Sequence, residues 1–182
     1  NLISKRDINH FMFLKKTLNE KLYDFETFIN FGSGHGGVSF LFKLIDFSIT
    51  NIEPGINENI INYFENGWEY INEIEKLNKS KSIFYSSHSL EHVHDVNLFF
   101  ENLNTKLYKG SILFFEVPNC KFLEDDNGGV DYKIKDPHTY YFTSDFFENL
   151  KNYKVLKIES TSVRNSPLIR DGNIRVLLEK IN

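Results

Sequence analysis

Phe28-Ile29-Asn30-Phe31-Gly32-Ser33-Gly34-His35-Gly36-Gly37 decides the fold, together with the amphipathic run Val38 to Phe47 that follows it. Apolar residues lead into a turn rich in glycine, and a helical pattern begins at once. The reading is a buried strand, a tight turn and a helix. Glycine admits positive φ and lets a ligand approach bare backbone. A helix start adds unpaired N–H groups and the positive end of a dipole. Such a corner suits a nucleotide-like or amino-acid-bearing cofactor.

The remaining sequence frames that corner. A chain of 182 residues can bury the core of one domain. The hydrophobic share of 41% excludes a disordered chain. A net charge of −4 argues against a surface that coats nucleic acid. Cys120 is the only cysteine, which rules out an internal disulfide and a cysteine-based zinc site. No run approaches the length of a membrane span. No signal peptide is evident near the start, which is Asn1 rather than Met, and a cytoplasmic location is the expectation.

Hydrophobic spacing predicts a helix over 8–22, a strand over 25–31, a helix over 36–47 and a strand over 48–53. A turn at Pro54-Gly55 leads to a predicted helix over 56–64 and a short strand over 68–71. Further strands are predicted at 82–87 and 111–117, flanking a helix over 95–107 that stops at Lys109-Gly110. A helix over 144–150, with Thr143 as N-cap, precedes strands at 153–160 and 174–181. Alternating strands and helices imply α/β architecture, a doubly wound and mostly parallel Rossmann-like sheet. Seven strands are expected, the last two forming an antiparallel hairpin. The whole of 1–182 reads as one domain, with 119–142 as a long polar loop suited to a substrate lid.

Gly32, Gly34 and Gly37 satisfy G-x-G-x-x-G, and Glu53 ends the next strand 21 residues after Gly32. A carboxylate there can accept hydrogen bonds from both hydroxyls of an adenosine ribose, so nicotinamide and sulfonium cofactors both fit at this point. Three further segments separate them. These are Ser86-Ser87-His88-Ser89-Leu90-Glu91-His92-Val93-His94-Asp95, Leu107 to Asn119, and His138-Thr139-Tyr140-Tyr141-Phe142-Thr143. In order and spacing the series resembles class I S-adenosylmethionine-dependent methyltransferases. The likeness is greatest to small-molecule and sugar-modifying members with a Leu-Glu-His turn after strand four. It runs from about residue 25 to the end.

The resemblance implies S-adenosylmethionine as cofactor. Asn30, Phe31, Gly32, Ser33, Gly34 and Gly36 would form the loop around its methionine part. Glu53 would hold the ribose, Pro54 would border the adenine, and Ser87, His88 and Ser89 would line the floor near the sulfonium. Glu73 is the expected adenine contact. Relatives generally carry Asp or Glu where this chain has Asn30. The amide keeps an acceptor oxygen but loses the charge that strengthens a hydrogen bond about twofold. A catalytically impaired cofactor-binding domain is therefore one alternative.

Methyl transfer to a hydroxyl profits from a base, and histidine suits neutral pH. His92 is the first candidate, His138 the second, and His88 completes the catalytic set. No metal is expected at the site. The alternative is a metal-dependent O-methyltransferase, because His88-x-x-Glu91-His92 with His138 resembles the Glu-x-x-Glu-His plus distal His pattern of metal-dependent relatives. That donor set would suit a borderline transition metal better than magnesium. The acidic lid, with Glu124, Asp125, Asp126, Asp131 and Asp136, disfavours a nucleic-acid backbone and suits a polyhydroxylated acceptor. The expected activity is methyl transfer to a small polar molecule, with a sugar or saccharide-linked hydroxyl favoured.

Overall fold

A computed structural model describes residues 3–54, 68–120, 138–161 and 172–182. Helix α1 spans Lys5–Leu18 and opens with a capping box, in which Ser4 and Asp7 satisfy each other's backbone N–H groups. A 3-10 segment, Asn19–Asp24, carries the chain on to β1, Thr27–Phe31. The predicted first helix is therefore two pieces, and the break falls at Asn19, whose φ is 49°. Helix α2 covers Gly37–Lys43, shorter than its apolar pattern predicts. Asp46, with φ 67°, turns the backbone there, a conformation that aspartate tolerates better than most residues.

Next come β2 (Ser48–Ile52), β3 (Glu69–Ile71) and β4 (Ser82–Ser87). Helix α3 (Val96–Lys106) leads to β5 (Ile112–Pro118), and helix α4 (Ser144–Glu148) leads to β6 (Tyr153–Thr161) and β7 (Asn173–Lys180). Thr143 is the N-cap residue of α4, but its side chain makes no capping bond. The predicted helix over 56–64 lies outside the described residues, as do 121–137 of the expected lid. The two ends of the 119–142 segment meet: Asn119 bridges Phe142, and Cys120 N–H donates to the Phe142 carbonyl at 2.9 Å.

The seven strands form one sheet ordered β3-β2-β1-β4-β5-β7-β6. The first five are parallel, and β7 inserts between β5 and β6 antiparallel to both. This is the doubly wound arrangement that alternation predicts. A register shift between Val155 and Lys157 bulges the outer strand β6.

Period-two alternation divides the core. Phe28, Ile49, Ile83, Tyr85, Ile112 and Phe114 meet α1 and α2 on one face. Ile29, Phe31, Phe84, Leu113, Phe115 and Val176 meet α3 and α4 on the other. Phenylalanines dominate both layers, with Phe28 stacked on Phe42 and Phe115 on Phe147. Among the described residues no helix is long and apolar enough to cross a membrane.

Candidate active site

The carboxyl ends of β1, β2 and β4 border a cleft of about 370 Å³, lined by Phe31, Gly32, Glu53, Pro54, Ser89, His92, Val93 and His94. Parallel sheets offer ligands this edge where their strand order reverses, here between β1 and β4. Gly32, Gly34 and Gly36 all have positive φ, at 68°, 51° and 68°. Gly32 N–H donates to the Ile52 carbonyl at 2.8 Å, tying the turn to the tip of β2. Gly34 N–H donates to Glu53 Oε2 at 2.9 Å. A Cβ on Gly32 would stand 1.8 Å from Ser89 Oγ, so the turn and the end of β4 touch only because residue 32 has no side chain.

Asn30 is buried, and its amide Nδ2 donates to Ser39 Oγ at 2.8 Å. Ser39 in turn donates to Asn51 Oδ1 at 2.7 Å. Asn30 and Asn51 are register partners on β1 and β2, so one hydroxyl from α2 bridges both strands. Asn30 Oδ1 and Ser33 Oγ are buried with no hydrogen-bond partner among the described residues. Glu73 is exposed, begins the 3-10 turn Ile74–Lys76 and lies outside the cleft lining, so the structure does not bring it to the site.

His88 follows β4 with φ 54° and is not among the residues lining the cleft. Its Nδ1 lies 3.5 Å from Glu91 Oε1 and its Nε2 lies 3.7 Å from Glu116 Oε1. Burial disfavours the ring's charge, but hydrogen bonds and charge from Glu116 and Glu91 outweigh it and raise the pKa to about 9. An imidazolium already holding its proton does not accept another at neutral pH. His92 is exposed at the cleft, its ring 4.8 Å from that of His138. The Glu91 carbonyl accepts from Thr139 and Tyr140 N–H, which fixes the segment carrying His138 beside the turn carrying His92. Ligand-capable atoms of Glu91, His92 and His138 all lie within 4.8 Å of one another. His88 is not part of that group, unlike the four-residue pattern read from the sequence.

Sequence reasoning missed the network beneath this floor. Glu116 projects from β5 onto the α1 face and is 2% exposed. Arg175, its register partner on β7, donates to Glu116 Oε2 from Nε at 2.9 Å and from an Nη at 2.6 Å. His10 of α1 places Nε2 3.0 Å from the same oxygen and Nδ1 2.7 Å from the Tyr85 hydroxyl. Burial, outweighing Glu116, lowers the His10 pKa and leaves the ring neutral. A carboxylate only accepts, so Nε2 carries the proton and Nδ1 accepts from Tyr85. Burial alone would raise the Glu116 pKa, but hydrogen bonds from His10 and His88 and the charge of Arg175 hold it well below the usual carboxylate range. The available signal was a lone charge in the apolar run Ile112 to Val117, since a buried charge demands partners.

A doubly wound sheet with a glycine turn on β1 and an acid ending β2 defines a Rossmann-like domain with a cofactor cleft at its strand tips. The chain belongs to the methyltransferase-domain family, whose family model matches residues 6–152. It is an enzyme of methyl transfer. A comparison with curated proteins finds no match. Solved structures share the fold. An S-adenosylmethionine-dependent methyltransferase from Mesorhizobium loti is 16% identical with TM-score 0.66, over 85% of this chain and 90% of that one. One from Clostridium acetobutylicum is 12% identical with TM-score 0.66, over 94% and 92%. The plantazolicin methyltransferase BpumL, solved with a triazolic desmethylPZN analog and SAH, is 14% identical with TM-score 0.62, over 86% and 77%.

Proposed function

We propose that this enzyme moves a methyl group from S-adenosylmethionine to an oxygen of a small polar acceptor, a sugar or saccharide-linked hydroxyl being favoured. The observation that carries the cofactor reading is the cradle at Gly32, Gly34 and Glu53, closed against Ser89 and too tight for a side chain at position 32. Asn30 Oδ1 and Ser33 Oγ, buried acceptors without hydrogen-bond partners among the described residues, fit the polar methionine end. One oxygen of Glu53 holds Gly34, and the other is available to ribose hydroxyls. Phe31 and Pro54 supply apolar wall on either side. When bound, the cofactor supplies a methyl carbon activated by its sulfonium. The chain's own work is to align the acceptor and keep out water. His92, at the cleft, takes the acceptor's proton, with His138 behind it as second candidate. Residues 119–142 serve as the lid that selects the acceptor.

Calorimetry with S-adenosylhomocysteine, followed by an acceptor screen that monitors its production, tests the reading. Binding of NAD in preference to S-adenosylhomocysteine would refute it. His92→Ala should lower kcat about 100-fold with cofactor affinity unchanged.

One observation favours a second reading. Glu91 is 1% exposed, its Oε1 lies 3.5 Å from His88 Nδ1, and its carboxylate stands within 4.8 Å of ligand-capable atoms of His92 and His138. One carboxylate and two imidazoles suit a divalent transition metal that would acidify the acceptor hydroxyl. Loss of turnover to a chelator, restored by zinc or manganese, would support this reading. Unchanged turnover would reject it.

A further inference from the structure

Glu116 grips residue 88 twice. Its main-chain carbonyl accepts from His88 N–H at 2.8 Å, and its Oε1 lies 3.7 Å from His88 Nε2. Arg175 and His10 occupy the other carboxylate oxygen, so the side chain cannot swing away without breaking buried contacts. His88 holds a φ of 54°, which a residue with a side chain adopts at a cost. The kink decides where Ser89 goes. Ser89 lines the cleft, and its Oγ fills the space a Cβ on Gly32 would take.

We propose that Glu116 is a positioning residue for cofactor binding: through His88 it holds the kink that sets Ser89 against the glycine turn. The inference rests on the cofactor reading of the cleft. Glu116 itself does not line that cleft. A purely structural Glu116 would neutralise Arg175 and seat α1, with no special dependence of cofactor affinity on residue 88.

A double-mutant cycle separates the two roles, read by calorimetry with S-adenosylhomocysteine on the full chain. Glu116→Gln keeps the shape and removes the charge. His88→Asn removes the ring that faces Glu116 and tolerates left-handed backbone. Each alone should weaken binding about tenfold, a loss of about 1.4 kcal/mol. Adding Glu116→Gln to His88→Asn should weaken it by less than a further twofold. The Gly32 and Gly34 amide resonances should shift in Glu116→Gln, although residue 116 does not line the cleft. Equal losses from Glu116→Gln in both backgrounds would overturn the proposal. So would a folded Glu116→Gln that binds as wild type does. Should Glu116→Gln fail to fold, His88→Gly decides with the buried network intact. Tenfold weaker binding supports the proposal, and binding within twofold of wild type overturns it. A wild-type chain that does not bind S-adenosylhomocysteine refutes the cofactor reading itself, and the proposal with it.

Discussion

Gly32→Ala should damage the protein through two separable effects. The φ of +68° places an L-residue in the left-handed region, which costs roughly 1–2 kcal/mol. The added methyl would also stand 1.8 Å from Ser89 Oγ and 2.5 Å from Ser89 Cβ. The hydroxyl can rotate away, but the Cβ is fixed to a backbone already kinked at His88, so the turn or the end of β4 must shift. Overpacking of that kind costs about 1–3 kcal/mol. The sum is roughly 2–5 kcal/mol, which at about 2–4 °C per kcal/mol lowers Tm by several degrees or more. Pairing the change with Ser89→Gly removes the collision and leaves the backbone strain. Thermal melts of wild type, both single variants and the double variant should therefore show Gly32→Ala regaining about half its loss in the Ser89→Gly background. Calorimetry with S-adenosylhomocysteine should follow the same order. If Ser89→Gly restores nothing, the contact between the glycine turn and the end of β4 is not what demands glycine at 32.

Glu53→Gln should weaken S-adenosylhomocysteine at least tenfold, because the acceptor of Gly34 N–H loses its charge along with the proposed ribose contact; unchanged affinity by calorimetry would contradict the site. Asn30→Asp forces the Ser39–Asn51 chain to reverse its donors and buries a carboxylate, so Tm should fall while cofactor affinity rises. Affinity that drops with Tm would separate residue 30 from the cofactor's ammonium group. Glu116 has a depressed folded pKa, so its stabilisation is present above the ordinary carboxylate value near 4.3 and is lost as pH falls further. His88 has a raised one, so its share is present below about 6.5 and is lost as pH rises through about 9. Urea midpoints measured from pH 3 to 10 should fall at both ends, and Glu116→Gln should flatten both falls.

The sheet could be read from the sequence because its evidence is local and repeated. Apolar runs of strand length alternate with helical spacing, and glycine marks the one turn where backbone must be bare. That Ser89 and His92 line the cleft follows once β4 is placed, since a parallel sheet presents that end to ligands; Ser87, the last residue of β4, is not in the lining. Glu73, which lies outside the cleft lining, had no local signal behind it: adenine contacts depend on how the chain packs after β3. The break at Asn19 and the early end of α2 at Lys43 were hidden because apolar spacing continues past both while the backbone turns. His88 illustrates the remaining gap. Its place in the turn was readable, but its protonation depends on Glu116, 28 residues later, and on burial that no spacing reports. The ladder Glu116–Arg175–Glu159 across β5, β7 and β6 is a matter of register, which sequence specifies only after the strands have been paired.

The outermost strand, β6, has one consequence for the molecule in crowded solution. Its nine residues pair with β7 on one side, and the other edge, open among the described residues, would invite a neighbour's strand to dock and so seed aggregates. Lys154 and Lys157 stand exposed along it, and the bulge between Val155 and Lys157 spoils the regular spacing a docking strand would need. The irregularity that looks like a flaw in the sheet thus works against strand-to-strand docking along this edge.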